Sequence, residues 1–327
     1  ADSGTGVISS VIHQIDAWPF EAHDDASVRT LCSKLFESVL RARTDRLSKT
    51  AVPETPRSVA TLMARVAVRP GDRVLDPACG NGSTLAAAHE AGATALQGWD
   101  LSEKALIRAA MRFELSGIDS NWEQQDSMRA VEHKPPFDSI LIHPPFSQKP
   151  PDFDIPRCLK SFGLPPTKSA DLLWIQLAIS MLDVGGRAAV LLPVGALYRS
   201  GPEAKIRKGL VNAGYVEAVI GLPGDVLPGT GIKSAVWLLK SPDHAENLDD
   251  PVVFVSGDGS SDRGSELHGL TSHGIDAIVD QVEDWRRNRA EFVSEPSFAR
   301  AIEQGALGAT TVLNPGSYLD SRDSEVH

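Results

Sequence analysis

The residues best suited to chemistry lie in a glycine-rich turn, DPACGNGS, at positions 76–83. A strand-like run precedes the turn, and a helical pattern begins at Ser83. Gly80 and Gly82 let the backbone turn sharply and approach a ligand closely, and the free N–H groups at the start of the helix face that ligand. Strand, glycine turn and helix in this order predict a nucleotide-type binding site. The alternative is an ordinary glycine-rich connection in an α/β domain.

A carboxylate downstream of the turn narrows the choice of ligand. Asp100 ends a second strand-like run at residues 95–99, where it can accept hydrogen bonds from both hydroxyls of a ribose. This spacing fits a dinucleotide or S-adenosylmethionine. Leu85 stands where a dinucleotide site would have its third glycine. Asp76 suits the positive amino-acid end of S-adenosylmethionine and would repel a pyrophosphate, so the second ligand is favoured.

A third acidic position follows the strand-like run at residues 121–125. Polar residues at the carboxyl end of a parallel strand fall on the ligand edge of the sheet. Asp126 can therefore accept a hydrogen bond from the exocyclic amine of an adenine. A turn residue without a ligand is an equal alternative.

The fourth strand-like run, residues 137–142, leads directly into the tetrapeptide HPPF at residues 143–146. Two consecutive prolines forbid a helix and fix a rigid extended turn with a free carbonyl group. The ring of Phe146 offers a face on which a base can stack. Rigid acceptors beside such a ring suit an exocyclic amine, because accepting its N–H bonds favours a nucleophilic, pyramidal nitrogen. A plain strand-terminating turn is the alternative.

Amphipathic helices and buried strands must position these loops. Apolar residues recur at helical spacing from Ser27 to about Leu47, after Pro56, and from Ala105 to Phe113. Pro56 begins its helix about twenty residues before the glycine turn, so Thr55 can close over the same ligand. The alternation predicts an α/β fold, in which a mainly parallel, doubly wound sheet places the carboxyl ends of its strands at one edge.

Composition excludes several classes of protein. The chain has 327 residues, of which 42% are hydrophobic, and a net charge of −11, which argues against broad nonspecific nucleic-acid binding by this chain alone. Nucleic-acid binding through a local basic face, or through contacts that a partner supplies, is still open. No apolar run is long enough to span a membrane, and no export signal is evident. Ala1 in place of Met indicates a trimmed N-terminus. Three cysteines without metal-ligand spacing indicate a reducing cytoplasm and no metal site.

The order of the motifs resembles that of the N6-adenine DNA methyltransferases. A Thr-Pro helix start, DPACGNG, an acidic strand end and HPPF are similar, more narrowly, to the methylation subunits of type I restriction–modification systems. Segments SADLLW from Ser169, GGRAAVLLP from Gly185 and NPGSY from Asn314 continue the match, which spans roughly residues 50 to 320. The resemblance implies a Rossmann-like, class I S-adenosylmethionine-dependent fold and methyl transfer to adenine N6 in DNA, within a restriction–modification or related defence complex.

The resemblance also implies roles for particular residues. The residues implied to bind the cofactor are Thr55, Asp76, Ala78, Gly80, Gly82, Asp100, Leu101, Asp126 and Ser127. Those implied to hold the target amine are His143, Pro144, Pro145 and Phe146. Within the first set, the glycine turn cradles the methionine part, Thr55 closes the amino-acid end, Asp100 binds the ribose and Asp126 the adenine.

One departure from the family concerns His143, since the family has Asn, Asp or Ser at that position. A neutral imidazole offers one acceptor nitrogen and an imidazolium offers none, whereas an Asn oxygen carries two lone pairs. Two alternatives to DNA methylation follow. The chain could methylate a small molecule with His143 as general base, or bind the cofactor without transferring its methyl group. A nicotinamide-linked dehydrogenase is a remote third idea, which Leu85 disfavours.

A second departure is length. No recognition domain fits between the glycine turn and HPPF, and the N-terminal helical part is shorter than in the type I subunits. We therefore expect DNA as a partner with a separate specificity subunit or domain, a homodimer or hetero-oligomer, and no membrane contact. The predicted organisation is an N-terminal helical segment (1–50), a methyltransferase domain (51–245) and a C-terminal extension (246–327). Near the end, Arg286, Arg287 and Arg289 read as a solvated helix end rather than a phosphate site.

Overall fold

A mixed nine-stranded sheet forms the centre of the molecule. The structure is a computed structural model that describes residues 24–44, 54–130, 136–224, 226–227, 230–241, 250–260, 269–309 and 311–320. The strands are β1 (Arg73–Asp76), β2 (Ala95–Asp100), β3 (Asn121–Gln124), β4 (Phe137–Ile142), β5 (Leu182–Pro193), β6 (Val216–Gly221), β7 (Ser234–Lys240), β8 (Val252–Ser256) and β9 (Ala299–Ile302). Their order is β3-β2-β1-β4-β5-β7-β6-β8-β9. Strands β1 to β5 are parallel, β7 is antiparallel to β5 and β6, and β8 is parallel to β6.

Helices cover both faces of this sheet. They are α1 (Asp25–Thr44), α2 (Arg57–Ala67), α3 (Ser83–Glu90), α4 (Glu103–Ser116), α5 (Ser127–Ala130), α6 (Asp171–Met181), α7 (Pro202–Asn212) and α8 (Ser272–Arg287). Apolar side chains of α2, α3, α4 and α8 pack into the core on one face, and those of α6 and α7 into the core on the other. The prediction of a mainly parallel, doubly wound α/β sheet is confirmed.

Local signals set the ends of the helices. Asp24 accepts a hydrogen bond from the N–H of Ser27 at 2.7 Å at the start of α1. The hydroxyl of Ser102 accepts from Ala105 N–H at the start of α4, and Gly117 ends that helix in the left-handed region with φ 67°. Pro56 stands immediately before α2. The helices predicted from Ser27, after Pro56 and from Ala105 to Phe113 therefore occur as α1, α2 and α4, and the predicted end near Leu47 lies outside the described residues.

The C-terminal residues lengthen the same sheet, because β8 pairs with β6 and β9 pairs with β8. The boundaries near residues 50 and 245 stay predictions, since residues 45–53 and 242–249 lie outside the described part of the chain. Within the described ranges, no helix combines the length and the hydropathy needed to cross a bilayer.

The expectation of a solvated helix end is wrong for Arg286. Its side chain is 7% exposed, lies 2.8 Å from a carboxylate oxygen of Glu217, and donates to the carbonyl of Val66 at 2.8 Å. Arg287, in contrast, is largely exposed and pairs with Asp284 on its own helix. Because Glu217 and Val66 are remote in sequence, the charge pattern of α8 alone does not reveal that Arg286 joins this helix to the core.

Candidate functional site

Parallel pairing brings the predicted loops to one edge of the sheet. Strand β1 lies between β2 and β4 and is parallel to both, and β3 is parallel to β2. The glycine turn after β1, Asp100 at the end of β2, Asp126 after β3 and HPPF after β4 therefore share the carboxyl edge. The expectation that Asp100 and Phe146 occupy the same end of the sheet is confirmed.

The two glycines of the turn have different tasks. Both adopt the left-handed region, with φ 52° at Gly80 and 78° at Gly82. A Cβ at Gly80 would meet no atom within 4 Å, whereas one at Gly82 would lie 3.0 Å from the ring of Phe113. Gly80 thus leaves open space at the turn, and Gly82 permits close packing. Among the described residues no side chain caps the start of α3, so its first N–H groups are available to a ligand.

Asp76 braces the turn from inside. It is 1% exposed, and its carboxylate accepts hydrogen bonds from the N–H of Ala78 at 2.9 Å and from the hydroxyl of Thr84. Burial raises the pKa of Asp76 to about 7. Both oxygens stabilise the conformation of the turn. Because the carboxyl group is partly protonated at neutral pH, its attraction to the amino group of a ligand is weakened.

Asp100 closes the other side of the turn. One of its oxygens accepts from Gly80 N–H at 2.9 Å and the other from Ser102 N–H at 2.8 Å. A carboxylate oxygen has a second lone pair, so two ribose hydroxyls can still donate to this group. Next to it, the side chain of Leu101 is 70% exposed, an apolar surface available to a planar ring. These two residues therefore offer a hydrogen-bond acceptor and an apolar surface beside the glycine turn.

Asp126 and Ser127 lie at the start of α5. Asp126 is about one-third exposed and accepts from Met128 N–H at 3.0 Å, so it caps the helix and also faces solvent. The buried hydroxyl of Ser127 donates to the carbonyl of Pro77. Ser127 therefore ties this loop to the glycine turn, while Asp126 keeps acceptor capacity toward the site.

The HPPF turn is joined to the segment before α2. Nδ1 of His143 lies 2.8 Å from the hydroxyl of Thr55, and the ring of Phe146 lies 5.3 Å from the imidazole. His143 and Pro144 are buried, and Pro145 and Phe146 are half-buried. Burial lowers the pKa of His143 to about 4, so the imidazole is neutral at physiological pH. The structure thus brings together Thr55 and HPPF, which are 88 residues apart.

A buried acid that the sequence analysis did not assign to the site holds the residue after HPPF. Ser147 has φ 54°, and its N–H donates at 2.8 Å to Asp171, which is 1% exposed at the start of α6. Arg199 lies 3.3 Å from the other oxygen of Asp171. Asp171 therefore stabilises a backbone conformation that non-glycine residues rarely adopt. Serine gives no sign of a left-handed residue, so the motif alone did not predict this contact.

A buried arginine, also not predicted, ties three segments together. Arg112 of α4 donates to the carbonyl of Asn81 at 2.7 Å and to the hydroxyl of Ser83 at 3.0 Å, both in the glycine turn. It also pairs with Glu37 of α1 and, at 2.9 Å, with Glu54 beside Thr55. Glu54 accepts from Ser83 as well, at 2.7 Å. The only sequence signal is a cation on the apolar face of α4, next to Phe113.

Comparison with known proteins gives a family match over most of the chain. The model of the N-6 DNA Methylase family matches residues 28–325. The chain is similar to the methylase subunit of the type I restriction enzyme MpnII of Mycoplasma pneumoniae, with 27% identity over 299 residues, 82% of this chain and 52% of the relative. It is also similar to the methylase subunit of HindI of Haemophilus influenzae, with 26% identity, covering 83% of this chain and 64% of the relative. The chain thus spans about half to two thirds of these relatives.

Solved structures share the fold. The type I restriction–modification methyltransferase subunit of Streptococcus thermophilus aligns with a TM-score of 0.76 and 24% identity, over 88% of this chain and 64% of that one. A modification subunit of a putative type I restriction enzyme of Vibrio vulnificus aligns with a TM-score of 0.72 and 22% identity, over 93% and 68%. At these identities the likeness concerns the fold alone.

Proposed function

The chain belongs to the N-6 DNA methylase family, and from this premise we propose that it transfers a methyl group from S-adenosylmethionine to N6 of adenine in DNA. One observation carries the proposal. The glycine turn with Asp100 and the HPPF turn meet at one edge of the sheet, and Thr55 contacts HPPF directly. A cofactor held at the first turn would therefore face an amine held at the second.

The residues of the turn fit the proposed cofactor. The free N–H groups of α3 suit its carboxylate, Asp100 suits the ribose, and Leu101 and Asp126 suit the adenine. The open space beside Gly80 leaves room for the ligand. When bound, the cofactor would supply the methyl group and leave as S-adenosylhomocysteine, and the methylated amine would lose one N–H proton to water. The roles of Ala78 and Gly82 are to shape the turn, since Ala78 binds Asp76 and Gly82 packs on Phe113.

His143 is proposed to position the amine rather than to remove its proton. With a pKa of about 4 it is a weak base at neutral pH, which also argues against its use as a general base on a small molecule. If Nδ1–H donates to Thr55, the second ring nitrogen, Nε2, offers a lone pair to an N6–H bond. A carbonyl of the proline turn would accept the other N–H bond, and Phe146 would stack on the base.

The setting in which the protein acts is also proposed. Both relatives described above are named as methylase subunits of type I restriction enzymes. We propose that this chain is likewise the modification subunit of a restriction–modification or related complex. Sequence choice would then come from a separate specificity subunit or domain, in a homodimer or hetero-oligomer. Tight, sequence-specific binding of duplex DNA by this chain alone would contradict that assignment.

Two measurements on the purified chain test the activity. Calorimetry with S-adenosylmethionine should show binding that Asp100→Ala weakens. Transfer of labelled methyl groups to mixed-sequence duplex DNA should then yield N6-methyladenine on digestion. Labelling of another atom, or no cofactor binding, would contradict the proposal. A chain that binds cofactor yet becomes active only as His143→Asn would favour the second candidate, a cofactor-binding module, for which the histidine itself is the supporting observation.

A further inference from the structure

A basic cleft lies beside the proposed active site. Its lining includes Arg129, Phe153, Asp154, Pro156, Arg157 and Lys160. Arg129 comes from α5, three residues after Asp126, and the other residues come from the segment that follows HPPF. The basic cleft therefore joins the loop proposed to contact the cofactor's adenine with the loop proposed to hold the target amine.

An aromatic contact builds the cleft. The guanidinium carbon of Arg129 lies 3.9 Å from the centre of the ring of Phe153. Stacking on a ring orients the flat guanidinium group and leaves its N–H edge free for an anion. The side chain of Arg129 is 62% exposed, so a ligand can reach it. Phe153 thus holds one cation of the cleft in place without neutralising it.

The charges of the cleft are only weakly compensated. Arg157 is exposed, and among the described residues no carboxylate lies within ion-pair distance of it. Lys160 pairs with Asp154 at 3.0 Å, but that aspartate is 96% exposed, so the pair contributes little and exchanges readily. Asp126 approaches Arg129 only to 3.6 Å. Three cations face two acids here, in a chain whose net charge is −11.

The backbone of the cleft is well anchored. Arg157 and Lys160 begin and end a 3₁₀ turn, Arg157–Lys160, whose Leu159 is fully buried in the core. Pro156 precedes the turn and restricts its backbone. The backbone that carries Arg157 and Lys160 is therefore fixed at the edge of the site, which lowers the entropy cost of binding an extended anion.

We propose that the basic cleft binds phosphate groups of the DNA strand that carries the acceptor base. The inference rests on the proposed function and adds the path of the DNA strand across the protein surface. Arginine and lysine contacts to phosphates position a nucleic acid without reading its sequence. The cleft would thus bind the DNA backbone while His143 and Phe146 bind the base. Neither contact reads the surrounding sequence, in keeping with the proposal that specificity comes from another subunit or domain.

Salt-dependent binding of DNA tests the cleft. Fluorescence anisotropy with a labelled mixed-sequence duplex should give a Kd that rises with KCl. Arg129→Gln, Arg157→Gln and Lys160→Gln should each raise the Kd severalfold and lower the slope of log K against log salt by about 0.9. Arg287→Gln is the matched control, because it removes the same charge from an exposed site on α8 and should change neither quantity.

A variant that keeps every charge tests how the cleft is built. Phe153→Leu should raise the Kd with little change in the salt slope, because Arg129 loses its support but stays cationic. Unchanged thermal unfolding of the three Gln variants should show that the exposed cations do not act through stability.

Two results would overturn the inference: a wild-type chain that fails to bind duplex DNA at low salt, or a triple Gln variant that binds like wild type. Methyl transfer and cofactor binding, measured on the same samples, separate the two proposals. If wild type methylates DNA and the triple variant keeps wild-type DNA affinity, only the cleft assignment fails. If the cleft variants weaken DNA binding but no adenine is methylated, only the proposed activity fails.

Discussion

The hydroxyl oxygen of Thr55 lies 2.8 Å from Nδ1 of His143. This bond joins the residue proposed to close over the cofactor to the residue proposed to receive the amine. A neutral imidazole has one N–H, so the direction of the bond decides whether Nε2 is a donor or an acceptor. To bind an amine N–H, Nε2 must be an acceptor. The hydroxyl of Thr55 must then accept from Nδ1–H and donate its own proton to another group.

The Thr55–His143 bond predicts unequal effects of two substitutions. Thr55→Val leaves a buried ring nitrogen without its partner, at a cost of about 1–3 kcal/mol, and should lower kcat about tenfold or more. Thr55→Ser keeps the hydroxyl and should keep most of the activity. Nitrogen-15 chemical shifts of the imidazole should show Nδ1–H in wild type with cofactor bound and a mixture of tautomers in Thr55→Val. Equal kcat in the Val and Ser variants would argue against the bond's role.

Substitution of His143 should separate acceptor chemistry from packing. His143→Leu removes the acceptor and should lower the rate of methyl transfer about a hundredfold, or about 3 kcal/mol, with little change in cofactor affinity. His143→Asn restores an acceptor oxygen and should stay within about tenfold of wild type. Single-turnover rates on DNA measure both. A Leu variant as fast as wild type would show that His143 does not hold the amine.

Two buried groups predict opposing effects of pH on stability. The pKa of His143 is lowered to about 4, so its contribution is present above pH ~6.5 and is lost as pH falls toward 4. The pKa of Asp76 is raised to about 7, so its contribution is present below pH ~3.9 and is lost as pH rises toward 7. Between pH ~4 and ~6.5 the two slopes, each about 1.4 kcal/mol per pH unit, should largely cancel.

Single variants expose each slope. Relative to wild type, Asp76→Asn should gain stability as pH rises from ~4.5 to ~6.5, and His143→Asn should lose it over the same range. Urea unfolding of the cofactor-free chain at several pH values measures both differences. Parallel curves for wild type and His143→Asn would show that the imidazole is not buried in its neutral form.

The Arg112 network predicts a large loss of stability from one substitution. Arg112→Met removes the buried partner of Glu37 and Glu54, whose carboxylates keep 41% and 20% exposure, and should cost about 1–3 kcal/mol. The matched control is Arg57→Met, which breaks an exposed pair with Glu90 and should cost less than about 1 kcal/mol. Denaturant unfolding gives both values, and calorimetry should show weaker cofactor binding only for Arg112→Met. Similar costs for both variants would contradict the proposed role of Arg112.

Much of the site could be predicted from sequence because its chemistry is local. Glycines at 80 and 82 allow a left-handed backbone, prolines at 144 and 145 restrict theirs, and strand ends locate Asp100 and Asp126. Parallel pairing then brings these loops together without further information. HPPF was predicted to lie at the same sheet edge as the glycine turn. This position depends only on the order and direction of the strands.

Contacts between remote residues could not be read in the same way. The partner of Arg286 is Glu217, 69 residues away, and that of Ser147 is Asp171, on another element. Neither pair has a characteristic spacing, since tertiary packing selects it. Asp76 was expected to serve a ligand, and the sequence did not reveal that its carboxylate also accepts from Ala78 and Thr84, because an acid before a tight turn satisfies the turn's own donors.

Glu37 connects the N-terminal helix α1 to the glycine turn through Arg112. A subunit that docked against α1 and shifted it would withdraw one carboxylate from Arg112, and the same guanidinium group holds Asn81 and Ser83. Assembly and cofactor affinity would then be thermodynamically linked, and the linkage must run equally in both directions. Loading with cofactor would tune how tightly the complex assembles.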